Sequence, residues 1–180
     1  MKNALIILLF TLLIAGCANP INRATSDNYA EICHIAMSEG QLDDAEQACY
    51  RALVNVDWGD LGQELKSQRL YNLALIKRRL AKFQEAEDLL NQSLTIEERF
   101  SQPSSLRIGR REVELSVNLA AQGKWTDGSR LLERVLPIAK QFEGQDRTWT
   151  SEVLRQYADQ LRKTNQHDLA STFEKKASEL

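Results

Sequence analysis

Gly40-Gln41-Leu42-Asp43-Asp44-Ala45 decides the fold: a turn-forming residue, a large apolar residue two places on, and a small residue three further. The spacing returns as Ala81-x-Phe83-x-x-Ala86, Gly123-x-Trp125-x-x-Gly128 and Asn165-x-His167-x-x-Ala170. From small residue to small residue the steps are 41, 42 and 42 positions. A fixed period of this size marks a chain of repeated supersecondary units. Before each pattern, apolar or small residues recur three and four apart: Tyr29, Ile32, Cys33 and Ala36, then Leu70, Leu73 and Ala74. Leu115, Ser116 and Leu119 follow, then Leu154, Tyr157, Ala158 and Leu161. After each pattern come Cys49 and Ala52, Leu90 and Ser93, Leu132 and Val135, and Glu174 and Ala177. These offsets place each set on one helical face, so each unit reads as two helices joined by a tight turn.

Punctuation agrees with that division. Asp57-Trp58-Gly59-Asp60 separates the first pair from the second, Ser101-Gln102-Pro103-Ser104 the second from the third, and Gly144 the third from the fourth. Ser104 is placed as a helix N-cap. Pro137 falls inside the expected second helix of the third pair, where its missing N–H predicts a kink. The last helix carries Glu174 where its siblings carry Cys49, Leu90 and Leu132, a polar finish that suits a terminal helix of a repeat array.

Composition supports an all-α chain. Of 180 residues only 8 are Gly and 3 Pro, too few for a sandwich or barrel of many short strands. Charged residues make up 27% and the net charge is −2, which excludes a general nucleic-acid binder and a disordered polar chain.

The four units resemble the tetratricopeptide (TPR) repeat, an antiparallel helix pair with a large residue, an apolar–small pair three residues on, and a small residue opening the second helix. Tyr29-x-x-Ile32-Cys33 with Ala45, Leu70-x-x-Leu73-Ala74 with Ala86, and Leu154-x-x-Tyr157-Ala158 with Ala170 match it. The third unit departs, with Glu112 in the large slot and Gly128 in the small one. The resemblance covers residues 26–180 and implies a right-handed α-solenoid of about four helix pairs. Its period exceeds the usual 34 and equals that of kinesin-light-chain-like repeats.

The N-terminus reads as an address. Lys2 precedes an apolar run from Ala4 to Ala15, about twelve residues against the roughly 20 that span a bilayer. Ile14-Ala15-Gly16-Cys17 then resembles the lipobox of bacterial lipoproteins. The resemblance implies that residues 1–16 are a signal peptide and that Cys17 is acylated (palmitate or a related chain). Residues 17–25 then form a tether, and the protein is held by lipid at the periplasmic face of the outer membrane, since Ala18 and not Asp follows the cysteine. With no helical periodicity, the eight residues 18–25 would reach at most about 27 Å.

Chemistry is sparse. No HExxH, CxxC pair, P-loop or GxSxG occurs, so no catalytic residues, metal site or cofactor are expected, nor a small-molecule substrate. The carboxylates of Glu85-Glu87-Asp88 and Glu97-Glu98 read as solvated faces. Once Cys17 is acylated, Cys33 and Cys49 are the remaining pair in an oxidising compartment, one on each helix of the first unit. They are either bridged or two small core residues; a turn near Gly40 sets residue 33 opposite 45 and 46 more directly than 49, which argues for a Cα separation beyond the roughly 7 Å limit for a bridge.

The resemblance also implies a concave face built by the first helices. Carried over, it comprises Asp27, Ala30, His34, Met37 and Ser38 in the first unit and Gln68, Tyr71, Leu75, Arg78 and Arg79 in the second. The third contributes Arg110, Val113, Val117, Ala120 and Ala121, and the fourth Glu152, Arg155, Asp159, Arg162 and Lys163. Such a face takes a partner segment with an apolar anchor flanked by carboxylates, unless the arginines are spent on neighbouring carboxylates or the lengthened repeats fill it. The function expected is a membrane-anchored protein–protein interaction scaffold of the envelope. The alternative is an obligate subunit of a pilus or secretion-channel (pilotin-like) assembly.

Overall fold

The computed structural model describes residues 2–180, with side chains from Pro20 onward. Eight α-helices follow one another: α1 Lys2–Ser38, α2 Leu42–Trp58, α3 Gln63–Arg79, α4 Phe83–Glu98, α5 Ser105–Ala121, α6 Trp125–Val135, α7 Gly144–Lys163 and α8 His167–Ser178. A short 3₁₀ turn, Ala139–Gln141, lies between α6 and α7. No strand occurs among the described residues, and the all-α, TPR-like class read from the sequence is the fold observed. The chain forms two compact units, Met1–Leu80 and Ala81–Leu180. In the first, α1 pairs with α2 and α2 packs on α3; in the second, α4 packs on α5, α5 pairs with α6, and α7 with α8.

The repeated pattern has a backbone cause. Gly40, Ala81, Gly123 and Asn165 all adopt left-handed φ, at 76°, 57°, 76° and 60°. This conformation reverses the chain in the fewest residues, and it suits glycine and asparagine while straining Ala81. The small residue of each pattern, Ala45, Ala86, Gly128 or Ala170, is buried where the second helix crosses its partner. Gly128 departs from alanine for a visible reason: a Cβ there would lie 1.8 Å from the Tyr157 hydroxyl, which donates to Ser116 O at 2.7 Å.

A further register position escaped the sequence reading. Ser26, Ser67, Gly109 and Ser151 recur at the same period, and all are buried. Ser26 Oγ donates to Ala52 O at 2.9 Å and Ser151 Oγ to Ala177 O at 2.8 Å, so a serine ties the first helix to the second helix's carbonyls. At Gly109 the side chain is missing because Ile138 and Phe142 occupy its space.

Three expectations need correction. The segment read as an extended tether is helical: α1 runs through residues 17–25, with Thr25 Oγ1 donating to Ile21 O and Arg23 pairing with Asp27 at 3.1 Å. Asn22 packs against Gly59 at the end of α2, so these residues belong to the first hairpin. Pro137 does not kink a helix; α6 stops at Val135, before a proline that could not continue the hydrogen-bond ladder. Glu97 is not on a solvated face. It is 1% exposed, with Arg111 Nη2 at 2.9 Å and Arg107 Nε at 2.8 Å, because position 97 falls on the inward side of α4's last turn. Ser104 does cap α5, accepting from Arg107 N at 3.3 Å.

Candidate functional site

The residues expected on the concave face meet different fates. In the first unit, Ala30, His34 and Met37 of α1 face Asn72 and Leu75 of α3 around a shallow pocket of about 70 Å³. Asn72 was not anticipated; it lies one turn after Gln68, whose Nε2 donates to its Oδ1 at 2.9 Å. Tyr71 and Arg78 are half-buried on the same helix. Arg79 is not available for a partner's carboxylate in this state, since its Nη1 donates to Met37 O at 3.0 Å, at the carbonyl end of α1.

In the second unit the expected face is closed. Val113 is 2% exposed and belongs to the core with Phe142, Val153 and Leu154; Val117 packs against that core. Both leave the list of surface residues, because the segment after α6 returns over α5 and sets Ile138 and Phe142 beside Gly109. The arginines there are engaged: Arg110 with Asp146 at 2.5 Å, Arg155 with Ala177 O at 3.3 Å, and Arg162 with Asp159 at 3.1 Å and with Glu174.

The charged groups that sequence reasoning missed lie on α5. Arg111 is enclosed by Glu97, by Ser93 Oγ at 2.6 Å and by Arg107 O at 2.9 Å. Glu112 is buried beside Arg134 Nε at 2.7 Å, and burial pushes its carboxyl up from 4.5 to about 7. Arg134 offsets that burial only in part, being half exposed and shared with Glu98 at 2.7 Å. One signal was present in the sequence: Glu112 stands in the slot that Tyr29, Leu70 and Leu154 fill in the other units. Glu97 and Arg111 form an ion pair inside the core, and Glu112 meets the half-exposed Arg134 at its edge. Among the described residues no group of His, Cys, Asp and Glu is placed to hold a metal ion.

The cysteines are settled. Cys33 and Cys49 form a disulfide, with Cα atoms 5.2 Å apart, inside the range a bridge requires. The buried small side chains of Ala36, Ala45 and Ala48 let the two helices approach closely, and residue 49 stands within bridging distance of 33. Cys17 and the signal segment lie outside the residues whose side chains are described, and no helix among the described residues is long and apolar enough to cross a membrane.

No protein-family model matches the chain, and no curated protein matches it. Solved structures do. A putative kinesin light chain from Podosopora anserina, with nearly identical TPR-like repeats, superposes with a TM-score of 0.66 at 19% identity, covering 85% of this chain and 73% of its own. A second structure of that protein gives 0.65 at 18%. BtubC (BKLC) from P. vanneervenii gives 0.73 at 20% identity, with 86% of this chain covered and 62% of the other. The chain therefore has the fold of TPR-like helical repeat proteins.

Proposed function

We propose that this protein is a non-catalytic, lipid-anchored adaptor of the bacterial envelope that takes a partner segment on the α1–α3 face of its first unit. The observation that carries the reading is the pocket at Ala30, His34, Met37, Asn72 and Leu75, a first-helix face left open while Val113 and Val117 are covered in the second unit. The lipobox ending at Cys17 supports the anchor. So do Ile21 and Trp58, both largely exposed at the end of the first hairpin nearest Cys17, where aromatic and aliphatic side chains suit a membrane interface. Because residues 20–25 are helical, each adds about 1.5 Å and not 3.3 Å of reach, and the binding face stands close to the bilayer. The pilotin-like alternative, a permanent subunit, draws on the exposed Ile32, Ile35 and Tyr50.

Two experiments test this. Labelled fatty acid should enter the wild-type protein and not Cys17→Ser, which should leave the membrane fraction; membrane retention of the variant defeats the anchor. A photo-crosslinker at position 75 should capture one partner in intact cells, and one at Asp168 on α8 should not. Equal yields from both positions defeat the face.

A further inference from the structure

The outer side of the first hairpin is apolar where every other repeat is covered. Ile32 is 42% exposed, yet its counterpart at the repeat spacing, Leu73, is 3% exposed; Ile35 is 48% exposed and its counterpart Ile76 is 0%. The cause is plain within the first unit, where α2 packs on α3. In the second unit α4 packs on α5 in the same way, and Leu115 and Asn118, the next counterparts, are buried. Each first helix other than α1 thus follows a second helix in the chain, and no described helix takes that place against α1. The other end of the repeat series shows how such an end is finished with charge, since α8 sets Glu174, exposed, where Cys49, Leu90 and Leu132 are buried. The α1 end keeps isoleucines.

These isoleucines border a cleft of about 460 Å³ between α1 and α2, floored by Ala36 and Ala48. Its two ends differ in charge. Glu39 and Asp44, both exposed, close one end; Arg51, held over the Tyr29 ring at 5.4 Å, closes the other. Residues 29 and 39 are separated by about 15 Å along the helix, close to three turns. We infer that this cleft receives an amphipathic helix of another protein, lying antiparallel to α1 as α2 lies against α3. Its apolar residues, three and four apart, meet Ile32 and Ile35, with a basic side chain in its first turn at Glu39 and Asp44 and an acidic one in its last turn at Arg51.

Charge complementarity selects this occupant. The required order, basic first and acidic last, opposes what a free helix prefers, so it would be set by the cleft. A second copy could satisfy the charges only by running two α1 helices antiparallel, which points their Cys17 ends apart; this one exclusion rests on the proposed lipid anchor. The cleft is distinct from the α1–α3 face, so each can fail without the other.

The test uses the purified full chain in detergent and two synthetic helical peptides of about 14 residues, with leucines spaced three and four apart. One carries arginine in its first turn and glutamate in its last; the other has these charges exchanged. By fluorescence polarisation the first peptide should bind at least tenfold more tightly, about 1.4 kcal/mol. Ile35→Glu, at a half-exposed site, should abolish binding without shifting the melting temperature, and Leu75→Glu should leave it unchanged. Asp44→Lys with Arg51→Glu should exchange the preference of the two peptides. Equal affinity for both peptides, or no binding, overturns the inference. So does a dimer of the wild-type chain that Ile35→Glu converts to monomer, which would assign the cleft to a second copy.

Discussion

Between α1 and α2 the contact is made by Ala36, Ala45, Ala48 and Ala52 around the Cys33–Cys49 bridge. Around α5 the same repeat positions carry Leu119, Gly128, Leu132 and Val135, joined by Phe142, Tyr157, the buried pair of Glu97 with Arg111, and the buried Glu112 beside a half-exposed Arg134. Small side chains let helices approach closely but bury little apolar area, and burial stabilises by about 25 cal/mol per Å². A covalent link makes up the difference in the first hairpin, as it does in small secreted domains. The second unit draws instead on large side chains and an added segment after α6. One repeat geometry is thus held in two ways, and only the way that needs no added segment leaves a first-helix face open.

The largest test of this contrast lies in the second unit. Arg111→Ala removes the buried one of Glu97's two arginine partners and should lower unfolding free energy by about 3–5 kcal/mol in urea titrations. Glu97→Leu combined with Arg111→Met should recover most of that loss, because the desolvation cost disappears with the charges. A double variant as unstable as the single would mean that the network, and not burial, fixes the packing.

Reduction of the Cys33–Cys49 bridge comes next. The cysteines are 16 positions apart, and closing a loop of that size is worth about 3 kcal/mol. Dithiothreitol should raise amide exchange along α1 and α2 by the corresponding factor and leave α5 to α8 unchanged. Equal effects in both units would erase the distinction between them.

Glu112 gives a pH signature confined to the second unit. Its carboxyl sits at about 7 in the folded chain against an ordinary 4.5, so the folded state holds the proton more tightly. Between these values the unfolded chain binds fewer protons and stability falls as pH rises; above about pH 7 the contribution is flat. At about 1.4 kcal/mol per unit the shift bounds this loss near 3 kcal/mol. Glu112→Gln should flatten the window between pH 5 and 7.5 relative to wild type, measured as the difference in urea midpoint. An unchanged slope would place the titration elsewhere.

The smallest effect concerns the turns. Ala81 holds a φ of 57° at the position Gly40 and Gly123 fill. Ala81→Gly should stabilise by up to about 1 kcal/mol, the left-handed strain outweighing glycine's greater unfolded entropy. A lower melting temperature would show that the alanine methyl contributes packing beyond its strain.

Local periodicity and turn chemistry made the helices, the four turns and the polar last helix legible in the sequence, because each depends on residues within a few positions of one another. Glu174 beside its buried siblings is one such reading. The lipobox is equally local, a run of four residues after an apolar segment. The open and closed faces could not be read that way. Val113 has the spacing of a surface residue, and only the return of Ile138 and Phe142 over Gly109 buries it. Glu97 has the look of a solvated charge until Arg111, from the next helix, meets it. Cys33 and Cys49 became a bridge through the close approach that the alanines permit. Which side chains stay accessible depends on other helices and segments, well beyond the reach of one helical turn, and sequence spacing carries no record of those contacts until the chain has folded.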